Sequence, residues 1–296
     1  MKDLGKLKYF LGIEVARSEA GFFLSQGKYA LDIIAETGLL GCKPAPTPVE
    51  QNHGLAVATG PSADVPRYRR LVGPLIYLAN TRPELGYIIQ LLASFMHKPL
   101  QAHWEAALHV VRYLNGCPGQ GILLSSSPNL RVSSFCDADH SGCPLTRRSL
   151  SAYIVFIGDS PIHWKTKKQK TISRSSADAE YRAMSDTLCE LKWFKELAES
   201  LCVSHSGPMH LFCDSKSAIY IASNPVFHER TKHIESDCHQ VRDAVLDKFI
   251  FLEHVSSRTQ LADILTKPLP GPQFHDLLSK LGIRNLTLPA CRRVSR

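Results

Sequence analysis

The chain has 296 residues, enough for about two domains at roughly 150 residues each and enough to bury sizeable cores. Hydrophobic residues at 44% and charged residues at 21% exclude a disordered or fibrous chain. Thirty-five Lys and Arg against twenty-seven Asp and Glu give a net charge of +8, which suits a polyanionic partner such as nucleic acid. The longest apolar stretch, Leu71 to Phe95, is broken by Arg82, Pro83 and Glu84, so no window of about 18 apolar residues could cross a bilayer and no membrane partner is expected. Charges among Met1 to Lys8 fall where a secretory leader needs an apolar run, so an intracellular protein is expected, cytoplasmic or nuclear. Nine cysteines (42, 117, 136, 143, 189, 202, 213, 238 and 291) contain no Cys-x-x-Cys pair. Most read as small buried hydrophobes rather than a disulfide framework or zinc ribbon, and His228, His233, Cys238 and His239 supply only half of a zinc site.

In chain order, Lys8 to Val15 reads as a strand, Ser18 to Gly21 as a turn and Phe22 to Ser25 as a second strand. From Gln26 the stripe Tyr29, Ile33, Ile34 and Leu39 marks an amphipathic helix. Residues 43 to 66, with Pro44, Pro46, Pro48, Gly60 and Pro61, read as a linker or long surface loop. Tyr68 to Leu114 follows as two or three packed helices. Strands are then expected at Ile122 to Ser125, Val132 to Cys136, Ser151 to Ile157 and Ile162 to Lys165. A long helix follows from about Ser176 to Leu201, then a strand at Met209 to Cys213, a short helix, a helix near Ile234 to Asp247, a strand at Phe249 to His254 and a last helix near Gln260. Pro268 to Arg296 reads as a polar tail with one short helix, Phe274 to Leu281.

Four carboxylates in the second half stand where metal chemistry would place them. Asp137 is expected just after the strand ending at Cys136, and Asp214 just after Cys213. Glu180 lies early in the long helix on the stripe carrying Met184 and Leu188, and Asp263 opens the last helix. Converging carboxylates suit hard divalent ions, and two ions about 3.5 to 4 Å apart can activate a water and stabilise a leaving oxygen in phosphodiester hydrolysis. Any one of these acids alone is equally well explained as an ordinary turn or helix-start residue. Asp139 is near enough to Asp137 to touch the site but is expected on the opposite face of the strand.

The flanking residues carry a resemblance. Cys136-Asp137-Ala138-Asp139, Ser173 to Ala183 around Glu180, Cys213-Asp214-Ser215, Arg230 to Glu235 and Leu261 to Lys267 resemble, in order and spacing, the ribonuclease H domain of copia-type retrotransposon polyproteins. That resemblance implies an α/β, ribonuclease H-like mixed five-stranded sheet with packed helices. It also implies Asp137, Glu180, Asp214 and Asp263 as catalytic ligands of two Mg²⁺ or Mn²⁺ ions, an RNA/DNA hybrid as substrate, and a cytoplasmic virus-like particle or the nucleus as location. Leu4 to Val15, Leu24 to Tyr29 and Tyr68 to Gly73 resemble the end of the reverse transcriptase palm, the thumb and the connecting region of the same polyproteins, making upstream reverse transcriptase segments a candidate partner. The expected division is 1–45 palm end and thumb, 46–128 linker and helical connection, 129–270 ribonuclease H-like domain and 271–296 tail. Polymerases need paired aspartates, and the chain has no Asp-Asp dipeptide, so polymerisation by this chain alone is not expected.

The run Trp164, Lys165, Lys167, Lys168 and Lys170, with Arg174 and with Arg147 and Arg148, is expected to contact phosphates. His254, nine residues before Asp263, suits proton transfer or product release because its pKa lies near neutrality. His233 and Glu235 read as structural hydrogen-bonding residues. Two departures from the family pattern are His140, where Trp is common and packing beside Asp137 is expected to change, and Asp178, where Glu is usual. The competing readings are an inactive relic or plain nucleic-acid-binding module, a sugar transferase suggested by Asp137-Ala138-Asp139 alone, and a transposase, whose acidic order would be Asp, Asp, Glu.

Overall fold

The computed structural model describes residues 5–143, 145–203, 205, 207–224 and 235–285, with 235–238 by backbone only. The described residues fall into two compact units. The first holds residues 5–50, 59–126 and 278–285, and the second 51–58 and 127–277 apart from the undescribed positions.

In the first unit, strands β1 (Tyr9–Phe10), β2 (Ile13–Ser18), β3 (Gly21–Ser25), β4 (Gln120–Ser125) and β10 (Ile283–Asn285) form an antiparallel sheet in that order. The single strand expected over Lys8 to Val15 is instead two, broken where Leu11 and Gly12 adopt positive φ. Gly21 has φ +133 and would drive a Cβ to 1.9 Å from the Leu124 carbonyl oxygen, so only glycine fits where β3 meets β4. Helices α1 (Gly27–Glu36), α2 (Val65–Leu78), α3 (Gly86–Ala93) and α4 (Gln101–Gly116) bury the expected stripes, including Ile33, Ile34, Leu71, Leu75, Leu92, Val110 and Leu114. The buried Tyr68 hydroxyl donates to the Leu92 carbonyl at 2.9 Å, which satisfies its polar end inside that core. The last segment is not simply a polar tail. After α9 (Gly271–Lys280), β10 pairs with β4, a strand too short to show a period of two.

The second unit is built on β5 (Val132–Asp139), β6 (Leu150–Ile157), β7 (Ser160–Lys168), β8 (Met209–Cys213) and β9 (Ile250–His254), in the order β7-β6-β5-β8-β9. The β5–β6 and β6–β7 pairs are antiparallel, and the β5–β8 and β8–β9 pairs parallel. Parallel pairs need crossovers, which α5 (Ser176–Ser200) helps supply before β8, and α6 (Lys216–Ser223) with α7 (Glu235–Leu246) before β9. Cys136, Tyr181, Met184, Leu188, Leu191, Leu211 and Val241 join one core between the sheet and these helices. Leu188, Leu191 and Leu211 are fully buried, and each such apolar side chain contributes about 1.5–3 kcal/mol. The β5–β8 ladder ends at Phe135↔Phe212, and beyond that pair come Asp137, still within β5, and Asp214, the residue after β8.

No described helix is long and apolar enough to cross a membrane. All described cysteines are free. Cys117, Cys136 and Cys213 are buried, Cys42 and Cys143 are half-buried, and Cys189 and Cys202 are exposed. His228, His233 and the rest of 225–234 lie outside the described residues, as do Cys291 and the side chains of Glu235 and Cys238.

Candidate metal centre

Four elements deliver the four carboxylates. Asp137 is fully buried and lies within β5 rather than after it, because the strand runs further than the apolar pattern suggests. Asp214 follows β8 directly and is partly exposed, and Ser215 beside it caps α6 by accepting from the Ala218 amide at 3.2 Å. Glu180 lies in the second turn of α5, whose start is fixed by Ser175 accepting from the Asp178 amide. Asp263 is the first residue of the short helix α8 (Asp263–Thr266), where an acid complements the helix dipole.

Asp137, Asp214 and Asp263 each offer an oxygen within 4.8 Å of one another, and Glu180, Cys213 and Asp214 form a second such group. Asp214 therefore joins the two groups. Glu180 Oε1 accepts from the Ala138 amide at 3.2 Å, and Oε2 from the Cys213 thiol at 3.8 Å, so it reaches both strands just beyond their last paired residues. Its burial among like charges is costly. Burial, then Asp137, Cys213 and Asp214, push its carboxyl up to about 10. Burial and Asp137 likewise push Asp263 up to about 7. The donor set is oxygen-rich and its charges repel one another, which is the chemistry a hard divalent cation relieves, so these residues fit such an ion.

Several partners escaped the sequence reading. Lys267 donates to Asp263 Oδ1 at 2.8 Å and to Asp137 Oδ1 at 3.3 Å, and the Thr266 hydroxyl donates to Asp137 Oδ2. Burial opposes the Lys267 charge, but Asp137 and Asp263 outweigh it and raise its pKa. Ser257 donates to Asp214 Oδ2 at 3.0 Å, and Gln260 donates to the Cys136 carbonyl at 2.9 Å. The i,i+4 spacing of Asp263 and Lys267 was the available signal, since residues four apart on a helix share a face.

His254 ends β9, and its Nε2 stands 3.2 Å from the Asp214 carbonyl oxygen, because β8 and β9 pair in parallel with Cys213 opposite His254. One expectation changes. Asp139 shares the face of Asp137, as residues two apart on a strand must, and burial followed by Asp137 raises its pKa. His140 is exposed.

The expected phosphate contacts divide. Lys165 and Lys167 alternate with Trp164 and Lys168 along the edge strand β7, so the run faces both ways. Lys165 pairs with Glu190 of α5 at 3.5 Å, and Lys168 donates to the Cys143 thiol at 3.3 Å. Arg147, Arg148, Lys170 and Arg174 are exposed. Asp178 accepts from the Arg174 amide and pairs with Arg182, so it anchors the start of α5.

The mixed sheet with its β7-β6-β5-β8-β9 order and helical crossovers defines a ribonuclease H-like α/β domain carrying a cluster of four acids. The chain is 41% identical over its full length to the retrovirus-related Pol polyprotein from transposon RE2 of Arabidopsis thaliana, and 41% identical over 96% of its length to that from transposon RE1 of the same plant. It belongs to the family of copia-type retrotransposon Pol polyproteins. The chain spans about a fifth of these relatives, 20% and 19% of their lengths. Among solved structures, LC11-RNase H1, isolated from compost, aligns with 46% of this chain and 92% of its own at 12% identity and a TM-score of 0.37. No family model matches the chain.

Proposed function

We propose that the second unit is a metal-dependent endonuclease that hydrolyses the RNA strand of RNA/DNA hybrids, acting within a larger Pol polyprotein. The observation that carries this reading is the convergence of Asp137, Glu180, Asp214 and Asp263 from four elements of a ribonuclease H-like sheet. Asp137, Asp214 and Asp263 would hold one Mg²⁺ or Mn²⁺ ion, and Glu180 with Asp214 a second. Such ions supply an activated water and neutralise charge on the leaving oxygen. Thr266 and Gln260 hold Asp137 and the end of β5 in place, and Ser257 orients Asp214. His254, whose Nε2 lies 3.2 Å from the Asp214 carbonyl oxygen, would exchange a proton with product. Upstream reverse transcriptase segments are the proposed partner of the first unit, and no residue of this chain is assigned to polymerisation.

Lys267 favours a second reading, a hybrid-binding module without catalysis, because its ammonium already partners two of the four carboxylates. Incubating labelled hybrid with the protein, Mg²⁺ and a chelator control separates the two. The nuclease reading expects Asp137→Asn to lower the cleavage rate by roughly 10²-fold or more, at or beyond the upper end of what losing an outer-shell partner costs. Hybrid bound by the wild type but left intact at every Mg²⁺ and Mn²⁺ concentration would overturn it in favour of the binding module.

A further inference from the structure

The end of α8 places a cation inside the acidic cluster. Lys267 Nζ lies 2.8 Å from Asp263 Oδ1 and 3.3 Å from Asp137 Oδ1, and Thr266 takes the other oxygen of Asp137. Both carboxylates are almost wholly buried, whereas the lysine side chain is 35% exposed. Its flexible four-carbon stem therefore has a route to solvent that the carboxylates lack. The hydrogen bonds to Glu180 and Asp214, by contrast, come from an amide, a thiol and a hydroxyl, all neutral. Each carboxylate oxygen keeps a further lone pair, but a divalent ion bound to Asp137 Oδ1 or Asp263 Oδ1 would stand against the ammonium already on those oxygens, and the two cations repel.

We propose that Lys267 is a built-in cation of this cluster, which a divalent ion must displace to engage Asp137 and Asp263, so that the two ion sites bind with unequal affinity. The inference rests on the metal-site reading above and adds an order of loading. An ion drawing on Glu180 and Asp214 enters with Lys267 in place. An ion drawing on Asp137 and Asp263 enters only as Lys267 swings out. The lysine thus holds the buried acids together before metal arrives and weakens the second binding step.

Titration of the full chain with Mn²⁺, followed calorimetrically and without nucleic acid, tests this. The wild type is expected to bind in a tighter and a weaker step. Lys267→Met should tighten the weaker step at least about fivefold, the low end of ordinary coupling between sites, and shift the tighter step by less than about twofold. Lys267→Arg, which keeps the charge, should bind as the wild type does. In EDTA the Lys267→Met chain should melt below the wild type and gain more from added Mn²⁺, and Lys267→Gln replaces it if it fails to fold. A folded Lys267→Met or Lys267→Gln chain whose weaker step is unchanged or weakened overturns the role of the lysine and leaves the nuclease reading standing. No Mn²⁺ binding by any of the chains overturns both.

Discussion

Glu180 and Asp263 show how burial and like charge shape this cluster. Both acids have folded pKa values above those of the unfolded chain, at about 10 and about 7, first through burial and next through Asp137. The folded state therefore binds more protons than the unfolded state, and stability falls as pH rises. The contribution of Asp263 is complete below its unfolded value of 3.8 and lost as pH passes about 7. That of Glu180 is complete below 4.5 and lost toward about 10. Thermal melts in EDTA should accordingly fall from pH 5 through pH 7 to pH 9, and Mg²⁺ should flatten that slope by letting the acids ionise. A metal-free melting temperature that rises over this range would contradict the placement of these two acids. The four carboxylates were legible because short motifs with fixed neighbours carry them. Ser257 and Thr266 were not, and Lys267 only through its i,i+4 spacing from Asp263, because their role depends on which loop and helix end meet at the Asp137 end of β5, and composition does not encode that meeting.

Among the elements, α5 carries the clearest dependence of site on local sequence. Ser175 accepts from the Asp178 amide and Asp178 pairs with Arg182, so the first turn is fixed from both ends of its side-chain network. Gln169 extends this by donating to Ser151 of β6 at 2.7 Å and to the Ala179 carbonyl at 2.9 Å. Glu180 sits one turn beyond. Ser175→Ala should lower stability by about 1 kcal/mol, read by chemical denaturation, and Ser175→Asp should restore most of it. No loss in the alanine variant would show that tertiary contacts alone fix the start of α5. Long periodic elements such as α2, α4 and α5 were visible in the sequence because their stripes repeat over several turns. The four-residue α8 is too short to display a period and was read from its motif, with Asp263 at its start, whereas the three-residue β10 was not visible because its position comes from pairing with β4.

At the scale of the molecule, the positive charge and the divided basic run bear on how the proposed hybrid substrate would be held. With Lys165 and Lys167 on one face of β7 and Trp164 and Lys168 on the other, no single lysine of the run should dominate binding. Hybrid affinity should instead fall steadily with salt as counterions are retained by the duplex, and Arg147→Ala with Arg148→Ala should reduce that salt slope by about one for each phosphate these arginines neutralise. An unchanged slope would remove these arginines from the interface. The most direct measurement of the central claim is single-turnover cleavage of a hybrid labelled separately on its RNA and DNA strands, at increasing Mg²⁺, by the wild type and by Asp137→Asn. The account predicts metal-dependent cutting of the RNA strand alone that the variant loses. Cutting of both strands, cutting that persists in the chelator, or cutting undiminished by Asp137→Asn would contradict it.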